Sequence, residues 1–458
     1  MSDFHSEELK KLSDKKYLIK DNFLGEGAFA KVYECKNKKQ SLVVKIYSKD
    51  DKKYAVHELN LFNKLKKHKK EFTKDYFNKS NIIDLLDYYV SNDYIYAIFE
   101  RATMSLEDFI ISFNKQFNSR PPIFLIVKII KEILIGLIEL NRCNIIHSDL
   151  KLDNVFLNFK TNENEFFNLF KQKKMDHGKI LESFSIKLID LNKSTFTNQI
   201  IKPLSIQTIE YQAPEIVFGN NNYNESLDIW SVGIILWNLI TGFELIDINN
   251  TRVEYYPFYK NYEKNDDDDS SMEDEESVSE STSEYFDSND PSTIYQNTIY
   301  LNKLHSIIGE CDKSLIVGGD IDKYYKSNKL IGHSFISYSP CIHNIILNEK
   351  DNFKFTETDI EIKLKYLSDL LEKNILIYDF KKRLTPFDLY KILDGNYTLL
   401  RVLKNTRYWN SIIKYTPEII KDLSIYKDIQ EQVPDIWEEM VTNNPEYKEL
   451  GDLGHMGF

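Results

Sequence analysis

The run His147-Ser148-Asp149-Leu150-Lys151-Leu152-Asp153-Asn154 constrains this chain more than any other feature of its sequence. It follows a long apolar stretch, residues 123–140, whose spacing predicts a buried amphipathic helix, and it precedes a short apolar strand pattern at 154–157. A carboxylate, an ammonium group and an amide at spacings of two and three residues can converge on one phosphoryl group. Asp149 can accept a hydroxyl proton, Lys151 can balance negative charge, and Asn154 can hold a metal ion. By chance, such a run in such a setting is rare.

Upstream, the sequence alternates as strands do, in Tyr17-Leu18-Ile19, Lys31-Val32-Tyr33-Glu34-Cys35 and Ser41-Leu42-Val43-Val44-Lys45-Ile46. A 3.6-residue period over 53–67 predicts a helix with Val56, Leu59, Leu61, Phe62 and Leu65 on its apolar side and Glu58 facing the sheet. Strand patterns at 86–90 and 94–99 complete a small sheet that carries one helix. From Ser105 onward helical patterns dominate, at 106–113, 123–140, 227–240, 298–308, 360–371 and 386–393, with short strands at 154–157 and 185–189. The class expected is α+β, and there is no internal repeat.

Several smaller signals carry chemistry only in combination. Gly25-Glu26-Gly27-Ala28-Phe29-Ala30-Lys31-Val32 is a G-x-G-x-x-A-x-V loop between two strands, which suits a phosphate approaching backbone amides or an ordinary glycine-bearing hairpin. Lys45, inside an apolar strand, needs an anion or a route to water, and Glu58 is a candidate counter-charge. Asp190 ends an apolar strand, as a turn residue or as a second metal ligand opposite Asn154. Ala213-Pro214-Glu215, Asp228-Ile229-Trp230 and Arg383 are separately a turn, a helix start and an arginine.

Taken in order, these motifs resemble the eukaryotic protein kinase family, over residues 17–394. The resemblance implies a bilobal protein kinase fold: a small antiparallel sheet lobe with one helix at 17–100, and a larger, mainly helical lobe at 101–400. It implies ATP as phosphate donor with Mg2+ as cofactor, and a Ser/Thr hydroxyl of a protein as acceptor. Lys45 would hold the α- and β-phosphates and pair with Glu58, while Asp190 and Asn154 would hold Mg2+. Leu24, the loop residues Gly25 to Val32, Val43, Phe99, Glu100 and Phe156 would line the nucleotide site, with Phe99 as gatekeeper and Glu100 at the hinge. Glu215 would pair with Arg383, and Asp228 would brace the catalytic loop. Lys151 and Thr208 resemble the serine/threonine branch. The segment Ser205-Ile206-Gln207-Thr208-Ile209-Glu210-Tyr211-Gln212 before Ala213 is similar to the SR-protein kinases and the wider CMGC group.

Four departures from the family pattern need a physical reading, one of them a dipeptide. Ser148 replaces the arginine that receives an activation-loop phosphate, so activity is expected to be independent of loop phosphorylation. Leu191-Asn192 replaces Phe-Gly after the metal aspartate. The leucine can fill the apolar slot near Phe62 and His147, and Asn tolerates the positive φ that the glycine position often needs. Val43 replaces a small alanine over the adenine, which should weaken bulky ATP-site inhibitors more than ATP. Gln212 replaces an arginine typical of CMGC kinases, so proline-directed specificity does not follow. None of the four removes a group that touches phosphate, metal or acceptor hydroxyl, which disfavours the rival reading of a pseudokinase scaffold. The Ala213-Pro214-Glu215 and Thr208 segment disfavours a small-molecule kinase.

The formal charge of −12 is a local property: residues 263–290 hold thirteen Asp or Glu and one Lys, and the remainder sums to about zero. No basic face calls for nucleic acid. The acidic tract, part of an apparent insertion at 262–292 expected to be disordered, is a solvated linker or a lure for protein substrates with basic flanks. A second, polar insertion is expected at 158–184, with extensions at 1–16 and, helical, at 401–458. Four scattered cysteines, a charged N-terminus and the charges Lys128, Lys131 and Glu132 within 123–140 point to a reducing compartment with no signal peptide and no membrane partner. The expected setting is therefore intracellular, cytoplasmic or nuclear, with a monomer assumed.

Overall fold

The structure is a computed structural model that describes residues 16–75, 79–172, 174–197, 206–220, 223–246, 291–312, 315, 321–326, 329–330, 342–355 and 360–394. The acidic tract through residue 290, residues 1–15 and the C-terminal extension lie outside the described residues.

The first lobe is a five-stranded sheet: β1 (Leu18–Gly27), β2 (Ala30–Lys36), β3 (Ser41–Ser48), β4 (Leu85–Val90) and β5 (Tyr94–Glu100), in the order β1-β2-β3-β5-β4. Every pairing is antiparallel. The β2–β3 turn is held by Asn37, whose side-chain oxygen accepts the amides of Lys39 and Gln40 at 2.8 and 2.9 Å.

One helix, α1 (Lys52–Asp75), lies against this sheet and runs two turns beyond the span expected from periodicity. Ala55, Leu59, Phe62 and Leu65 form its buried stripe, with Glu58 among them at 1% exposure. Val56 is not part of it: at 43% exposure it faces solvent, because the stripe that contains 58, 59 and 62 passes through position 55.

The second lobe begins with β6 (Met104–Ser105) and α2 (Leu106–Phe117). Ser105 caps α2 by accepting the Asp108 amide, and Glu107 and Asp108 complement the positive end of the helix dipole. The apolar helix α3 (Ile123–Arg142) is the spine of this lobe. A Cβ on Gly136 would meet Leu188 Cδ1 at 2.7 Å, so glycine lets α3 approach the sheet that carries the site.

That sheet consists of β6, β8 (Val155–Phe159) and β9 (Phe184–Leu188), in the order β6-β8-β9. A smaller ladder pairs β7 (Ile145–Ile146) with β10 (Thr195–Phe196). The buried helix α7 (Ser226–Thr241) follows a short α6 (Pro214–Val217). Further helices at Pro291–Ile308, Ile342–Asn348, Ile360–Leu370 and Pro386–Leu393 complete the lobe.

The polar stretch between β8 and β9 is folded. It forms α4 (Glu163–Asn168) and α5 (His177–Glu182), and it drives Phe166, Phe167, Phe170 and Ile180 into the core. Phe167 stacks on Phe109 of α2, and Phe170 meets Phe113 edge-on with ring centroids 5.1 Å apart. Each such side chain contributes about 1.5–3 kcal/mol by burial. Average polarity hides this patch, because the apolar residues occupy one helical face among Asn, Glu and Lys.

Candidate active site

The loop after β7 is held from beneath by Asp228, in the first turn of α7. Its carboxylate accepts the amides of His147 at 2.8 Å and Ser148 at 3.0 Å. Burial pushes the Asp228 pKa up, opposed by His147 and these two amides. Ser148 adopts φ 61°, and its hydroxyl turns inward to the Ile146 carbonyl at 3.4 Å. Its own carbonyl accepts the Gln207 amide at 2.7 Å, so backbone rather than an arginine ties this loop to the segment before Ala213.

Asp149 is 6% exposed. One oxygen accepts the Thr208 hydroxyl at 2.8 Å, and the other lies 3.4 Å from Lys193 Nζ. Lys151 turns along the loop, its Nζ 3.9 Å from Asp153. Asn154 donates its side-chain N–H to the Asp149 carbonyl at 2.8 Å, and its backbone carbonyl accepts the Ile189 amide at 3.0 Å. One residue thus links the loop to the end of the strand that carries Asp190.

Asp190 itself has φ 59°. Its Oδ1 accepts Lys45 Nζ at 2.8 Å and the Asn192 amide at 3.3 Å, while no hydrogen bond to Oδ2 is found among the described residues. Lys45 also reaches Glu58 Oε1 at 3.1 Å. Burial alone would lower the lysine pKa, but the Asp190 and Glu58 carboxylates outweigh it and raise the net value. Burial likewise works to raise Asp190, and Lys45 outweighs it, so the carboxylate stays ionised.

The left-handed residue here is Asp190 and not Asn192, which corrects the expectation that Asn192 takes the positive φ of a glycine. The turn is made two residues earlier, at Asp190, and this presents the Leu191 amide to Glu58 Oε1 at 3.0 Å. Leu191 is fully buried in the core that includes Phe62.

The glycine loop spans the β1–β2 turn, with Gly25 opposite Val32, Glu26 opposite Lys31 and Gly27 opposite Ala30. Neither glycine has positive φ. A Cβ on Gly25 would touch nothing within 4 Å, and one on Gly27 only the Ala30 carbonyl at 3.9 Å. The protein's own packing therefore does not require glycine at either position, and the open space is of the kind a phosphate chain can use. Phe29, at the tip, stacks on Tyr54 of α1 with centroids 3.7 Å apart.

Behind the cleft, Val43 pairs with Phe99 across β3 and β5, and Phe99 meets Phe62 of α1 edge-on at 5.2 Å. The Glu100 side chain accepts the Asp84 amide at 2.9 Å and pairs with Lys187 at 2.7 Å, and its own amide bonds the Asp84 carbonyl. Phe156 is half-buried on β8, whereas Leu24 is exposed on β1.

A metal ion here would find the Asp190 carboxylate and the Asn154 side-chain oxygen, both hard oxygen donors. Two such ligands are too few to cage an ion, but they suit Mg2+ arriving with nucleotide phosphates. Among the described residues no group of three or more His, Cys, Asp or Glu forms a metal site.

Deeper in the second lobe, Glu215 and Arg383 form a bidentate pair at 2.6 and 2.7 Å, both buried. Arg383 also bonds the Ile377 and Ser226 carbonyls and lies over the Trp230 ring.

Residues 18–296 match the family described as protein kinase domain. The chain belongs to the protein kinase domain family. Among curated relatives of this kinase domain, "Probable serine/threonine-protein kinase clkA" of Dictyostelium discoideum is 30% identical over 240 residues, covering 50% of this chain and 25% of the relative. "Serine/threonine-protein kinase AFC3" of Arabidopsis thaliana is 28% identical over 233 residues, with coverages of 50% and 55%. "Serine/threonine-protein kinase prp4" of Schizosaccharomyces pombe is 26% identical over 253 residues, with coverages of 53% and 45%. The match thus spans a quarter to little more than half of these relatives' lengths. Such CMGC-type relatives accord with the resemblance carried by the segment before Ala213.

Two residues of the kinase domain site were not singled out from sequence. Lys193 pairs with Asp149, signalled only by a cation directly after Asp190-Leu191-Asn192. Tyr47, fully buried on β3, donates its hydroxyl to Glu58 Oε2, and burial raises its pKa well above the usual phenol value. Its signal was a phenol two residues after Lys45, on the same face of the strand, since a buried hydroxyl there needs a partner.

Proposed function

We propose that this chain is an ATP- and Mg2+-dependent protein serine/threonine kinase that acts without activation-loop phosphorylation. The observation that carries the reading is the continuous linkage Glu58–Lys45–Asp190, joined through the Ile189–Asn154 backbone bond to Asp149. The phosphate-binding lysine, both proposed metal ligands and the proposed base belong to one bonded assembly.

In this reading Lys45 holds the α- and β-phosphates and the glycine loop covers them. Leu24, Val32, Val43 and Phe156 enclose the base, with Phe99 behind it and Glu100 at the hinge. Asp190 and Asn154 hold Mg2+, which neutralises charge on the phosphate oxygens. Asp149 accepts the proton of the substrate hydroxyl as its oxygen bonds the γ-phosphorus. The bond from the γ-phosphorus to the β–γ bridging oxygen breaks, and ADP leaves with that electron pair. Lys151 balances charge on the transferred group, and Thr208 orients Asp149.

Independence of loop phosphorylation is supported by Ser148, which turns inward, and by ties to the segment after Asp190 that involve no phosphate-binding arginine. His57 Nε2 lies 2.7 Å from the Ser194 carbonyl, and Ser194 bonds the His147 carbonyl at 2.8 Å. Transfer of label from ATP to a serine/threonine peptide library, before and after phosphatase treatment of the enzyme, tests this reading. Equal transfer before and after is expected. Loss on phosphatase treatment rejects the phosphate-independent part, and transfer no greater than that of Asp149→Ala favours a scaffold.

Peptides with basic flanks are the proposed substrates. Glu107, at the start of α2, lies against Asp153 of the catalytic loop. Their shared hydrogen bond, with partial burial and the charges of Asp153, Asp108 and Glu244, pushes the Glu107 pKa up to about 7. A raised carboxyl pKa means that charge appears as pH rises through that value. KM for a basic-flanked peptide should therefore fall roughly two- to fivefold between about pH 6 and about pH 8, a surface-pair effect. Glu107→Gln should flatten the profile, and an unchanged profile in that variant rules out Glu107 as its source.

An intracellular setting is proposed because Cys35, Cys143 and Cys311 are buried free thiols. No helix among the described residues is long and apolar enough to cross a membrane.

A further inference from the structure

Glu58 is held by more than its lysine. Its Oε1 accepts Lys45 Nζ and the Leu191 amide, and its Oε2 accepts the Tyr47 hydroxyl. At 1% exposure, Glu58 has no water to replace a lost donor. The same hydroxyl lies 3.2 Å from Asn192 Oδ1, and the Asn192 amide bonds Asp190 Oδ1 at 3.3 Å. Asn192 stands where the family pattern has glycine, yet its backbone takes no positive φ. Its side chain, not its conformational tolerance, is what this structure uses. One phenol therefore spans the helix that carries Glu58 and the turn that carries Asp190.

We propose that Tyr47 is a positioning residue which, through Glu58 and Asn192, fixes the Asp190 carboxylate in the orientation that receives Mg2+ with the nucleotide. The proposal rests on the kinase reading of the site. Tyr47 touches neither nucleotide nor acceptor in that reading, so its effect passes through the two side chains it joins. The arrangement also supplies a reason for the metal side of the cleft to assemble with no phosphate on the activation segment.

The test uses the full chain and calorimetric binding of ADP with and without Mg2+, alongside kcat, peptide KM and melting temperature. Tyr47→Phe removes one oxygen and keeps the ring in place. It is expected to cut the Mg2+-dependent gain in ADP affinity about tenfold, and kcat by a similar factor, as an unsatisfied buried carboxylate oxygen implies. ADP affinity without Mg2+ and peptide KM should stay within about twofold.

Asn192→Ala, which leaves β3 untouched, should reduce the Mg2+ gain by a smaller factor. Its combination with Tyr47→Phe should cost less than the product of the two single effects. A Mg2+ gain unchanged in Tyr47→Phe, with only a lower melting temperature, overturns the proposal and leaves Tyr47 a core residue. Simple multiplication of the two effects overturns the bridge through Asn192. Should Tyr47→Phe fail to fold, Asn192→Ala decides alone, and an undiminished Mg2+ gain in it overturns the proposal. If the wild type binds Mg2+ and ADP with a gain that Tyr47→Phe erases but transfers no phosphate, the positioning role holds and the kinase reading fails.

Discussion

Replacing Asp149 by asparagine is expected to lower kcat for phosphoryl transfer by about 10²–10⁴-fold, the usual worth of a positioned general base. ADP affinity should change by less than about twofold, because no phosphate contact is assigned to Asp149. The asparagine oxygen can still accept the Thr208 hydroxyl, which lies 2.8 Å from Asp149 Oδ1, so the loop should keep its shape. The substitution removes the capacity to take a proton and the charge that faces Lys193 at 3.4 Å. Lys193 is partly exposed, so the loss of that pair should cost little stability. Steady-state kinetics with a serine peptide, with calorimetric ADP binding as control, makes the measurement. A variant that retains more than about a tenth of wild-type kcat would show that Asp149 is not the base.

The parts of this site legible in the sequence were those fixed by short-range spacing. Asp149 and Asn154 lie five residues apart on one loop, and the backbone geometry that joins them is local. Lys45 and Glu58 were also legible, because a lysine in an apolar strand calls for a counter-charge and the next helix offers one. What spacing could not supply was the meeting of residues distant in sequence. Tyr47 reaches Asn192 across 145 positions, and only the approach of β3 to the turn after β9 brings them together.

Periodicity was a sound guide to which elements exist and a weaker one to which residue faces inward. Val56 and Ala55 are neighbours, and a stripe read one position out exchanges them. Composition misled most between β8 and β9. There a dense aromatic patch in a polar stretch builds a wall of the second lobe.

Arg383→Ala carries the largest expected effect on stability. Arg383 and Glu215 are 168 residues apart and pair through two parallel hydrogen bonds, with both side chains almost fully buried. Removing the guanidinium strands the Glu215 carboxylate without water. It also leaves the Ile377 and Ser226 carbonyls short of a donor and exposes the face of Trp230 to a void. Breaking such a pair from one side costs about 3–5 kcal/mol, a large share of the 5–15 kcal/mol that holds a typical domain together.

Urea unfolding followed by intrinsic tryptophan fluorescence should show the midpoint fall without a change in slope. Because Glu215 follows directly on the segment that bonds Asp149 through Thr208, peptide KM should worsen before the fold is lost. The double variant Glu215→Leu with Arg383→Met separates charge from packing. If the stranded carboxylate dominates, the double variant recovers much of the loss. If it is no more stable than Arg383→Ala, the carbonyl contacts and the packing on Trp230 dominate, and the ion pair itself contributes little.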